Sequence, residues 1–256
     1  MRGHVIRLAF IPALLSFAFL EIPVGLASLF AATPPGSQAG LTCIQDALGG
    51  TRAFTNVSSL HVNAETRPVA STGLRPLPGT RELFAAFPDR YKRIDVGRVP
   101  GASSAGATLD STIGFDGDTI LSRPGLRDDQ ATRRQARQDF VVQMLRRLPR
   151  ELAGLTLSSR TVSESGHQRL AVDASGSDGL RATLLADSGT CVPIALQYQV
   201  GLVTWRVDLS QYREFGGIRF PTLLRTAKDG QPLEEEVVAR VEVNSPAVGQ
   251  AFAGRR

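Results

Sequence analysis

Cysteine, tryptophan and methionine are nearly missing from this sequence: its 256 residues include two cysteines, one tryptophan and two methionines. Histidine is also scarce, with three. His4 lies near the N-terminus. His61 and His167 have no cysteine or second histidine at ligand spacing, so they read as strand-surface residues and no metal site is expected. There is no Gly-x-Ser-x-Gly elbow, nor a strand–helix alternation to carry one. No glycine-rich phosphate loop precedes a helix. Asp116 and Asp118 flank a hairpin turn and do not read as an acid–base pair. No nucleophile, base and orienting group assemble, so no catalytic residue, no cofactor and no enzymatic activity are expected. The net charge of +5 is small and mostly arginine. A concentrated basic stripe with interleaved aromatics is absent, which excludes a nucleic-acid partner and leaves only a weak attraction to anionic surfaces. No repeat of solenoid or propeller period is found.

What is present begins with an export segment. Arg2, His4 and Arg7 form a basic start, and residues 8–20 carry no charge. Small residues follow, with cleavage placed near Ala27 or Ala31. The alternative is an uncleaved anchor over residues 8–32. Glu21 argues against it, since a carboxylate at mid-membrane costs about 2.5–3.5 kcal/mol. Residues 1–31 are therefore a signal peptide or membrane anchor, and the location is periplasmic or otherwise extracytoplasmic. Cys43 is no lipoprotein cysteine, because Gly40-Leu41-Thr42 lacks the small residue such a site needs directly before it. Outside the cytoplasm Cys43 and Cys191 either pair or remain buried thiols.

Residues 32–40 (ATPPGSQAG) read as a flexible linker. Thr42 reads as the cap of a short helix running to about Phe54, weakened or ended at Gly49-Gly50. The period then becomes two. Leu60, Val62 and Ala64 alternate with Ser59, His61 and Asn63. Tyr91, Arg93 and Asp95 share one side of a strand. Asp116-Gly117 is a hairpin signal. Residues 128–152 break the pattern: Phe140, Val141, Met144, Leu145 and Leu148 form one apolar stripe, an amphipathic helix to be packed on a sheet. Arg146 and Arg147 suit its C-terminal end. Strands then resume, separated by short Gly- and Asp-containing turns. Glu234-Glu235-Glu236 reads as a solvated strand edge. The fold class is mainly β (α+β), with about ten antiparallel strands, an N-terminal helix and one helix against the sheet. Such a curved sheet is either filled by its own side chains or leaves an apolar cavity.

Four stretches then carry a family resemblance: CIQDALGGTRAFTNVSSLHV, ELFAAFPDRYKRID, IGFDGDTI, and a long C-terminal run containing YREFGGIRFP. Together they resemble the exported LolA/LolB-like lipoprotein-carrier superfamily over most of residues 41–246, with residues 247–256 left as a tail. The resemblance implies an unclosed β-barrel whose mouth is covered by a lid helix and whose concave face accepts acyl chains. It implies a non-enzymatic binder of lipid or lipidated protein. Members of this fold also serve as periplasmic regulatory or protein-interaction domains, for which the partner would be an envelope membrane protein. Carried onto this chain, the acyl-binding face is expected to include Phe84, Tyr91, Ile113, Phe140, Met144, Leu196, Trp205, Val207 and Phe220. Where the carriers place Arg before the Pro of the second stretch, this chain has Phe87 before Pro88.

Overall fold

The computed structural model describes residues 37–69, 77–98, 108–122 and 129–253. The export segment, residues 1–31, lies outside the described residues. The first helix, α1 (Ser37–Leu48), begins inside the stretch read as a linker, so Thr42 sits within the helix and does not cap it. It breaks at Gly49, whose φ is +140°, and α2 (Thr51–Thr55) follows. A Cβ at position 49 would lie 2.3 Å from the Gly217 carbonyl oxygen, so no larger residue fits there.

The chain then makes five strands: β1 (Ser59–Pro68), β2 (Gly79–Ala86), β3 (Arg90–Arg98), β4 (Thr108–Asp116) and β5 (Thr119–Ser122). After α3 (Gln130–Arg147) come β6 (Leu155–Glu164), β7 (His167–Gly176), β8 (Arg181–Asp187), β9 (Pro193–Val200), β10 (Val203–Phe215), β11 (Ile218–Lys228) and β12 (Gln231–Val243). A last helix, α4 (Pro246–Ala253), stands where a tail was expected. Among the described residues there are twelve strands, and all pair antiparallel in the order β5-β4-β3-β2-β1-β12-β11-β10-β9-β8-β7-β6. The sheet is therefore not closed. The chain starts at its middle, runs to the β5 edge, crosses through α3 to the β6 edge and meanders back to pair β12 with β1.

Side-chain alternation assigns the two faces. Leu60, Val62, Leu83, Tyr91, Leu184, Leu196, Val207, Phe220 and Leu224 face the main core, and α1 and α3 cover that face. Helix α3 supplies Ala136, Phe140, Met144 and Leu148 at four-residue steps, with Val141 and Leu145 alongside. Asp129 caps its start by accepting a 2.8 Å hydrogen bond from the Thr132 amide. On the other face α4 lays Val248 and Phe252 on Phe84 and Leu121. Here His61 stacks on Phe84, with ring centroids 4.5 Å apart, and is held between Glu82 and Glu242. It is buried and not a surface residue, because α4 covers a face that alternation alone would leave wet.

Cys43 of α1 and Cys191 of the β8–β9 turn are bonded, with Cα atoms 5.7 Å apart across 148 residues of sequence. The bond ties the helix cover to the far half of the sheet and closes a long loop in the unfolded chain. The double variant Cys43→Ser/Cys191→Ser is expected to lose about 2–5 kcal/mol of stability. Urea denaturation of both proteins measures this, and an unchanged midpoint would show that the crosslink is energetically idle.

Candidate functional site

The interface between α3 and the concave sheet is apolar at one side and charged at the other. On the apolar side Phe140 inserts among Tyr91 (5.4 Å), Phe115 (5.5 Å) and Phe87 (6.3 Å). Phe87 thus meets α3 through its ring. Arg150 lies over the same ring, its guanidinium carbon 4.2 Å from the centroid.

The charged side is a buried network. Glu236 of β12 is 1% exposed. Its carboxylate meets Arg147 and Arg146 (3.2 Å) from α3 and Arg81 (2.7 Å) from β2. Arg81 also reaches Asp95 (2.6 Å) and Glu234 (2.8 Å). Arg93 of β3 bonds Asp95 (2.9 Å) and Asp139 of α3, and the Tyr91 hydroxyl donates to Asp139 as well. Gln143 accepts from Arg146 and Arg147. Burial opposes ionisation of Glu236, but Arg147, Arg146 and Arg81 outweigh it and hold the carboxyl far below its usual range. Asp95 is likewise depressed: desolvation is overcome by Arg81 and Arg93. Within this network Arg147 is only partly compensated. Its Nε has no hydrogen-bond partner among the described residues, and burial, then Arg146, pull its pKa down to about 10.

Beside this network α3 stands off the sheet and leaves a cleft of about 430 Å³. Its walls are Ile113, Val142, Leu180, Tyr198, Val200, Trp205 and Leu233, and its floor carries Arg81, Arg93, Asp139, Arg146 and Glu234. Tyr198 and Trp205 stack at 6.1 Å and 6°. The cleft thus offers an aromatic slot over a polar floor, a lining suited to an amphiphile. Among the described residues no group of His, Cys, Asp or Glu is placed to hold a metal ion.

The structure brings together only part of the expected acyl-binding set. Ile113 and Trp205 line the cleft. Tyr91, Leu196, Val207 and Phe220 of the sheet and Met144 of α3 lie in the packed core, each 1% exposed or less. Phe140 is packed there too and lines a second cavity on the far side of α3. Phe84 faces the opposite side, under α4, because its neighbours Leu83 and Ala85 take the concave face. The polar half of the site escaped sequence reasoning. Glu234 and Glu236 are not a solvated edge, and Arg146 and Arg147 do not simply close a helix. The one available signal was parity: Glu236 shares its strand face with buried Val238, as Arg93 does with Tyr91.

The fold is that of an open LolA-type half-barrel: one unclosed antiparallel sheet with a helix lying across its concave face. A LolA superfamily protein from Nitrosomonas europaea superposes with a TM-score of 0.53 at 12% identity, covering 82% of this chain and 94% of that one. Two further solved structures match over the same shares: a DUF1329 family protein from Desulfovibrio piger (TM-score 0.47, 8% identity) and a putative outer membrane lipoprotein-sorting protein domain from Vibrio parahaemolyticus (0.46, 9%). Comparison of the sequence with protein-family models and with curated proteins finds no match. At these identities the likeness establishes a shared fold.

The network makes a specific demand on acidity. Carboxyls depressed in the folded state contribute stability that is complete above their unfolded values, about 4, and that is lost as pH falls through the folded values. Stability should therefore drop on acidification below about pH 4. Glu236→Gln, which leaves three guanidiniums without their shared carboxylate, should cost about 3–5 kcal/mol at pH 7 and make the acid limb shallower. Urea titrations of both proteins at pH 7 and pH 3 report the difference. Equal slopes against pH would remove Glu236 from this role.

Proposed function

We propose that this chain is an exported, non-enzymatic binding protein that takes the acyl chain of a lipid or lipidated protein into the cleft between α3 and the sheet. The observation that carries the reading is the cleft itself: an unclosed half-barrel whose covering helix leaves a slot walled by Trp205, Tyr198, Val142 and Leu180. Burying a chain against these walls gains roughly 25 cal/mol per Å² of apolar area. The export segment read in residues 1–31 and the shared fold support the same reading. Among the described residues no helix is long and apolar enough to cross a membrane.

In this reading α3 is the lid. Tyr91, Leu196, Val207 and Phe220 of the sheet and Met144 of α3 itself are packed in the core and meet a ligand only when the helix moves away. A chain longer than the cleft must therefore displace Met144 and Leu145 and stretch the Glu236 network. A protein-interaction domain of the same fold, with an envelope membrane protein as partner, is a second reading. It is favoured by Leu202, which is wholly exposed at the β9–β10 turn.

Mass spectrometry of lipids extracted from the protein purified out of the cell envelope is expected to show a stoichiometric acyl species. Because Trp205 is the sole tryptophan, its emission should shift when a palmitoylated peptide is added. Trp205→Ala should weaken that peptide by about tenfold, the value of one buried aromatic contact. A well-folded protein that carries no lipid, with unchanged Trp205 emission at saturating peptide, would leave the protein-interaction reading in its place.

A further inference from the structure

On the side of α3 away from the cleft lies a separate cavity of about 320 Å³, between α3, the segment that leads into β6, and the β7–β8 turn. Its walls include Phe87, Phe140, Val141, Leu152 and Leu155. Two arginines line it, and they differ from those of the buried network. Arg137 lies over the Phe115 ring at 3.9 Å and Arg150 over the Phe87 ring at 4.2 Å. Each gives one hydrogen bond to a main-chain carbonyl: Arg137 to Gly117 at 3.0 Å and Arg150 to Val57 at 3.1 Å. Among the described residues neither is salt-bridged to a carboxylate, whereas Arg81, Arg93, Arg146 and Arg147 all are.

A guanidinium held over a ring by cation–π attraction keeps most of its N–H donors available for a planar or tetrahedral oxyanion. Each of these arginines has five N–H donors and, among the described residues, uses one of them in a hydrogen bond. Burial with no counter-charge lowers the pKa of Arg150, which an arriving anion would relieve. Two carboxylates share the rim. Asp178 is engaged through Oδ1 by the Leu180 amide, and Glu151 is exposed. Neither has paired with the arginines beside it.

We propose that this cavity is an oxyanion-binding site, in which Arg137 and Arg150 together take the carboxylate or phosphate of an amphiphile whose tail lies along Phe87, Phe140 and Leu155. The site is independent of the cleft, so the two stand or fall separately.

The test is calorimetric titration of the full chain with decanoate, decanol and inorganic phosphate, with Trp205 emission recorded in parallel. Arg137 is exposed and Arg150 half-buried, so Arg137→Gln and Arg150→Gln are suitable folded variants. Decanoate is expected to bind about tenfold more tightly than decanol, and each variant to lose about tenfold for decanoate alone, the loss expected for one charge-assisted hydrogen bond. Arg134→Gln, an exposed change on α3 outside the cavity, should leave decanoate binding unaltered and so separates site from net charge. The part of the decanoate signal that depends on Arg137 and Arg150 should leave Trp205 emission unmoved, since Trp205 reports the other cleft. Phosphate binding that depends on both arginines would support the oxyanion site and identify a free anion as its source. Equal affinity for decanoate and decanol, or wild-type decanoate binding in both glutamine variants, would overturn the proposal.

Discussion

Everything beneath α3 depends on one buried carboxylate. Glu236 lies under the helix with guanidiniums from α3 and from β2 around it. Taking so many charges out of water costs several kcal/mol for each ion unless partners return the loss. Here the groups come from the β2–β3 hairpin, α3 and β12, three regions that are distant in sequence. The network is therefore complete only when the central strand pair has formed and the crossing helix is seated. An apolar stripe alone would let α3 slide along the sheet. Oriented ion pairs at Asp139, Arg146 and Arg147 fix its register, because a shift of one turn would strand each charge.

The same network borders the open part of the concave face. Arg81, Arg93, Arg146 and Glu234 line the cleft, with Trp205 and Tyr198 among its walls. Where Met144 and Leu148 make the contact the side chains are fully buried, while Phe140 is buried and also borders the cavity on the far side of α3. Helix α3 thus packs through apolar side chains on one side and borders a partly charged cleft on the other. Moving it off the sheet would require separating apolar surfaces and ion pairs together, a cooperative step of the kind that gives packed interfaces two states and not a continuum.

Much of this fold was legible along the chain. Period-two runs separated by Asp-Gly and Ser-Gly turns announced the strands. One four-residue-step stripe announced α3. The residues of the site were less legible, and for specific reasons. Phe84 looked as good a lining residue as Leu83, because parity within a strand does not say which face is concave. Met144, Leu196 and Phe220 were placed on the correct face, but packing made them core. Glu236 and Arg147 looked solvated, since charged residues usually are; only partners 89 residues apart make their burial tolerable. His61 was misread because nothing in β1 announces that α4, nearly two hundred residues later, folds back over it.

Local pattern alone determined the strands, their antiparallel pairing through short turns, and an amphipathic helix between two runs of them. These follow from neighbouring residues, whose alternation and turn chemistry act over a few positions. Tertiary structure decided the rest: that β12 closes on β1, that the Cys43–Cys191 pair is within bonding distance, and that three arginines share one carboxylate. Burial of charge and closure of a long loop depend on groups brought together from far along the chain, and no local period encodes that meeting.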